Sequence, residues 1–164
     1  MLKKSLLDKM NDQIQHEFHA AYLYLSMSAY FESINLPGFA NWMRMQWQEE
    51  IGHSMRFLDH INERGGRVQL QAIEKPPAEF ESPLDAFAQA LAHEQKVTGQ
   101  INEIYALAVQ ENDYASLSTL QWFVDEQVEE ERSVGDIVER LKMVKDHTGA
   151  LLMLDAHLGH REAG

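Results

Sequence analysis

Gln46-Trp47-Gln48-Glu49-Glu50-Ile51-Gly52-His53 is the stretch whose reading decides the fold. It lies inside a long helical pattern. Glu50 and His53 are three residues apart, so a helix stacks them on one face. The rest of that face, Met43, Gln46, Phe57 and Ile61, is mostly apolar. A carboxylate and an imidazole on a core-facing stripe need a partner, because a buried unpaired charge costs on the order of several kcal/mol. A divalent metal is one partner that satisfies both. A Glu-x-x-His pair alone is common on solvated helices, so the assignment rests on what the chain sets beside it.

Working outward, apolar residues recur at helical spacing on both sides of this stretch. A first helix is expected over about 5–33, with a stripe of Met10, Ile14, Ala21, Tyr24, Ser28 and Phe31. Glu17 falls on that stripe, where a core residue belongs. Asn35-Leu36-Pro37-Gly38 breaks it and starts the second helix, about 38–64, which Gly65-Gly66 stops. The connection that follows contains Lys75-Pro76-Pro77, which forbids helix. It is long enough to run the height of a bundle, so the third helix need not oppose the second. Ser82-Pro83-Leu84-Asp85 opens that third helix, about 83–111, with Ser as N-cap and Pro in the first turn. Its stripe of Phe87, Leu91, Val97, Ile101 and Tyr105 includes Glu94. Asp113 is the expected cap of a fourth helix, about 114–145, whose stripe carries Gln127 and Glu130. Thr148-Gly149 is expected to cap a short fifth helix, about 149–158. It has more leucine than a four-helix bundle needs, which suits packing at a subunit junction or onto its own bundle. The expectation is one all-α domain over 1–164: a four-helix bundle with a long crossover between helices 2 and 3 and a short fifth helix.

The two hairpins repeat each other. An offset of 77 maps Glu17, Glu49, Glu50 and His53 onto Glu94, Glu126, Gln127 and Glu130. At about 1.5 Å per residue, Glu17 lies about 27 Å before the first turn and Glu50 about 20 Å after it. Glu94 and Glu130 each lie about 27 Å from the turn at Asn112. All can meet at one level. Four carboxylates, one His and one Gln in an apolar core would raise one another's pKa, and two divalent cations would offset that charge. A carboxylate-rich set with one imidazole suits iron or manganese better than zinc or copper.

Composition agrees. The chain has 164 residues, 45% hydrophobic and 24% charged, as one globular domain requires. It has no cysteine, which excludes a disulfide scaffold, an iron–sulfur cluster and a thiol nucleophile. No run of 18 apolar residues and no signal-like start occurs, so no membrane span or secretion is expected, and a cytoplasmic location is. A net charge of -12 disfavours nucleic acid and favours cations.

On these residues the chain resembles the ferritins, and most closely the bacterial non-haem ferritins, over its whole length. The resemblance implies a first iron site at Glu17, Glu50 and His53. It implies a second at Glu50, Glu94 and Glu130 with Gln127 alongside, and a third, weaker site at Glu49, Glu126, Glu129 and Glu130. Tyr24 matches a tyrosine beside that centre, able to hydrogen-bond a ligand or supply an electron. The implied activity is ferroxidase: dioxygen or hydrogen peroxide oxidises two Fe(II), bridged by Glu50, and ferric mineral collects in a hollow shell of twenty-four subunits. A haem-binding relative would carry Met after the bridging Glu, where this chain has Ile51, so no haem is expected. A di-iron oxygenase or peroxidase that stores nothing is the alternative.

The remaining candidates read as structural. His16, His19 and His93 flank the ligand positions off the stripe and are expected at the surface. Trp42, Trp47 and Trp122 read as packing, with Trp122 the one to test for oxidation. Glu111 and Asp113, near a helix junction, are candidates for where iron comes in.

Overall fold

The computed structural model describes residues 1–163. Five helices form, and no strand occurs among the described residues: α1 (Lys4–Ser33), α2 (Pro37–Glu63), α3 (Pro83–Gln110), α4 (Tyr114–Val144) and α5 (Thr148–Leu158). α1 pairs with α2 and α3 with α4 as two hairpins, and α1 packs on α3.

Each hairpin turns through the same device. After α1, Asn35 takes φ 61°; its N–H reaches Glu32 O, and the Leu36 N–H reaches Phe31 O at 3.0 Å. After α3, Asn112 takes φ 57°; its N–H reaches Val109 O, and the Asp113 N–H reaches Ala108 O at 2.9 Å. These are Schellman caps, with asparagine tolerating the left-handed position. Asn35 and Asn112 are themselves 77 apart, so the duplication includes the turns. Gly65, at φ 69°, closes α2 in the same way: the Gly66 N–H reaches Ile61 O at 2.8 Å. Ser82 and Asp113 cap α3 and α4 by accepting the N–H of Asp85 and Ser116. α5 differs from expectation: it begins at Thr148, and His147 is its N-cap without a side-chain hydrogen bond.

The crossover climbs along α1. Asn11 holds it at Arg67 and Gln69, Gln71 reaches Asp12, and Ser26 donates to Pro77 O. Phe80 then packs edge-on to Tyr30. The chain therefore starts α3 at the end where α2 starts, and the two helices run parallel.

The apolar core is divided. One cluster contains Phe31, Phe39, Met43, Phe87, Ala90 and Val134. The other contains Met10, Ile14, Phe57, Val97, Ile101 and Phe123. On every long helix the switch from one cluster to the other occurs at the polar residues singled out by the duplication, so these form a buried waist between two greasy halves. α5 lies over the first cluster through Leu154 and Leu158. Gly38 makes room for it: a Cβ there would stand 1.7 Å from Asp155 O.

Candidate metal centre

All four long helices contribute to the waist. α1 brings Glu17 and Tyr24, α2 Glu50 and His53, α3 Glu94, and α4 Gln127 and Glu130; all are buried. His53 Nδ1 lies 3.2 Å from Glu50 Oε2 and 3.9 Å from Glu17 Oε2. Donor atoms of Glu17, Glu50 and His53 all fall within 4.8 Å of one another, the spacing of ligands around one ion. A second such group is His53, Glu126 and Glu130, with His53 Nε2 3.8 Å from Glu126 Oε1. Glu17 Oε2 is buried without a hydrogen-bond partner among the described residues, which is costly unless something binds it.

Glu94 completes the ring from the opposite side. Its Oε1 accepts from the Tyr24 hydroxyl at 2.5 Å and its Oε2 from Gln127 Nε2 at 3.2 Å. Gln127 also donates to Glu94 O and Thr98 Oγ1, so its amide acts here as a donor that positions Glu94.

The charge state follows from the crowding. Burial, and then the charge of Glu94, push Glu50 well above the usual carboxylate range. Burial also raises Glu94, against hydrogen bonds from Tyr24 and Gln127 that pull it down. Glu130 is pushed up to about 8, by burial first and Glu94 second. Burial by itself would lower His53, but hydrogen bonds to Glu126 and Glu50 and the charges of Glu50 and Glu17 outweigh it and raise it. Glu126 is lowered by its bond to His53. Burial and Glu94 raise Tyr24, which keeps it a hydrogen-bond donor. Protonated acids beside a charged imidazole are what such a cluster adopts without cations; divalent ions displace those protons.

The third group of acids is only partly gathered. Glu126 faces His53, at the wall of an open cavity of about 420 Å³ bordered by Trp122 and Arg56. Glu49 is half-buried and paired with Arg161 Nη2 at 2.9 Å, and Glu129 is exposed. Arg161 also donates to Gln46 Oε1 at 2.5 Å and covers the Trp42 ring. Trp122 lies edge-on to His53 with centroids 5.5 Å apart, under the Arg56 guanidinium.

Some positions differ from the sequence reading. His16, His19 and His93 are not surface groups: all three are half-buried between α1 and α3, because α3 covers that side of α1. Asp113 is engaged by the α4 cap and by both Arg64 nitrogens. Glu111 is held by Ser5. Sequence reasoning missed Gln13, which donates to Glu17 Oε1 at 2.8 Å, and Gln46, which donates to Glu130 Oε2 at 2.8 Å. For Gln13 the spacing of four to Glu17 was the available signal, whereas Gln46 reaches from α2 to α4, which no spacing shows. Arg161 had none, being remote in sequence from everything it touches.

A four-helix bundle whose waist gathers carboxylates from every long helix around one imidazole defines a class. The chain belongs to the ferritin family, matching its ferritin-like domain over residues 7–144. It is 38% identical over 161 residues to the bacterial non-heme ferritin of Staphylococcus aureus strain USA300, covering 98% of this chain and 97% of that one. It matches that of Staphylococcus haemolyticus to the same extent. Among solved structures, the open-pore ferritin of the hyperthermophilic archaeon Archaeoglobus fulgidus is 50% identical, with a TM-score of 0.98 over 99% of this chain and 100% of that one.

Proposed function

We propose that this protein stores iron and is a ferroxidase whose substrate, Fe(II), binds in pairs at the waist. The convergence of Glu17, Glu50, His53, Glu94 and Glu130 on one buried level carries this reading. Glu17 and His53 hold one ion, Glu94 and Glu130 the other, and Glu50 lies between and serves both. Each Fe(II) gives up one electron. Dioxygen takes both with two protons and leaves as hydrogen peroxide; where peroxide is the oxidant, it takes two electrons and two protons and leaves as water. Tyr24 and Gln127 keep Glu94 aimed at the second ion, while Gln13 and Gln46 do the same for Glu17 and Glu130. The second ion has no imidazole and only a neutral amide beside it, so it is held less tightly and its ferric product leaves more readily. Glu126, with Glu49 and Glu129, forms a weaker third site on the way to the mineral, and Glu49 must give up Arg161 to join it.

The reading extends to assembly as a hollow shell of twenty-four subunits in the cytoplasm. No helix among the described residues is long and apolar enough to cross a membrane. Aerobic Fe(II) titration followed by size-exclusion chromatography tests the whole reading. Soluble iron far above two per chain, eluting with a shell-sized particle, is expected. Two irons per chain and no further loading would mean an oxygenase instead; no binding and no oxidation would leave only a helical scaffold.

A further inference from the structure

Outside the waist, one polar cluster has no explanation in the proposed reaction. His19 on α1 and His93 on α3 face each other across the seam between these helices, with ring centroids 5.9 Å apart and planes inclined by 54°. His19 Nδ1 and His93 Nε2 are both sealed from solvent, and neither has a hydrogen-bond partner among the described residues. A buried unpaired polar atom is costly; among the described residues Glu17 Oε2, Gln100 Oε1 and Glu111 Oε2 share that state, but the other buried imidazoles do not. His60, also buried, has Ser116 Oγ 2.9 Å from Nε2 and Thr119 Oγ1 3.3 Å from Nδ1. His53 has carboxylates at both nitrogens. The seam thus sets two buried imidazoles side by side, each with a nitrogen that no protein group engages.

We propose that His19 and His93 bind one transition-metal cation across the α1–α3 seam, at a site separate from the carboxylate waist. The spacing fits. With metal–nitrogen bonds of about 2.0–2.1 Å, two imidazoles on one ion place their centroids about 5–6.5 Å apart. Imidazole donors select borderline cations such as Zn(II), Ni(II) or Cu(II) over Mg(II) and Ca(II), whereas the waist offers mainly oxygen. The two sites do not share donors: His93 precedes Glu94, and successive residues on a helix point about 100° apart. His16 stands one turn before His19 and lines a groove of about 260 Å³ that opens to solvent between Asp12 and the Lys9–Glu103 ion pair. Water entering with the ion would supply the remaining ligands. The exposed Lys96 ammonium on α3 opposes a cation here, so the site binds more weakly than the waist.

The site is independent of ferroxidase activity, and so is its test. Crystals of the intact protein soaked in Zn(II) and measured at the zinc edge should show an anomalous peak between His19 Nδ1 and His93 Nε2. Calorimetric titration with Zn(II) should count one ion fewer per chain in the His19→Gln/His93→Gln variant than in the parent, with the waist ions unchanged. Lys96→Gln should tighten the seam step. Density between the rings without anomalous signal, which is water, would overturn the proposal, as would equal zinc counts in parent and variant.

Discussion

Glu50 lies under opposite demands before and after iron binds. Burial and Glu94 make its charge costly in the metal-free protein, and paired cations make the same charge necessary. Glu50→Ala should slow initial Fe(II) oxidation by more than about 100-fold, since losing even a group that orients a ligand costs about 10–100-fold. The particle should keep its size, and stopped-flow rates equal to the parent would rule out this centre. The raised acids also set a pH dependence. A Glu carboxyl in the unfolded chain loses its proton near pH 4.3, whereas Glu130 keeps its own up to about 8. The native state then binds more protons than the unfolded one, so stability falls as pH rises through that window. Raised His53 acts in the same direction: its stabilisation is complete below the unfolded histidine pKa and is lost as pH rises past its folded value. His16 and His93, lowered by burial, act oppositely but only below about pH 6.5, the unfolded histidine value. The metal-free melting temperature should therefore drop between about pH 6.5 and 8, and a redox-inert divalent cation should flatten the curve. A metal-free profile that is level or rising over this window would contradict the assignment of these charges.

Among the helices, α5 depends on a close approach. Gly38 sits against the Asp155 carbonyl, while Asp155 Oδ1 accepts the Phe39 N–H at 2.9 Å near the start of α2. A methyl at Gly38 meets backbone, which cannot swing aside. Gly38→Ala should destabilise the subunit by about 1–3 kcal/mol, the usual range for overpacking, seen as a lower melting temperature. The waist should survive, because α5 packs on the first core cluster and not on the centre. An unchanged melting temperature would show that α5 does not dock as described.

At the scale of the molecule, α5 has two faces. Leu154 and Leu158 are buried on the bundle, while Leu152 and Met153 are 52% and 75% exposed. In the proposed shell this second face is covered by neighbouring subunits. Leu152→Glu with Met153→Glu should then leave the helical fold intact by circular dichroism and shift the protein to smaller particles in analytical ultracentrifugation. A full-sized shell from that variant would place the junction elsewhere. The division of the core into two clusters also has a consequence: folding both apolar halves brings the waist acids together whether or not iron is present.

Much of this was legible along the chain because helical rise and turn convert sequence offsets directly into height and facing. The offset of 77 therefore placed Glu17, Glu50, His53, Glu94 and Glu130 at one level, and Ser82 and Asp113 announced their helix starts. A stripe reports only the angle of a residue on its own helix. It says nothing of which neighbour covers that side, which is why His16, His19 and His93 were expected at the surface and lie in the α1–α3 seam. Nor does it give the reach of a side chain from a distant segment, so the Arg161–Glu49 pair and the Gln46–Glu130 hydrogen bond emerged only once the helices were packed.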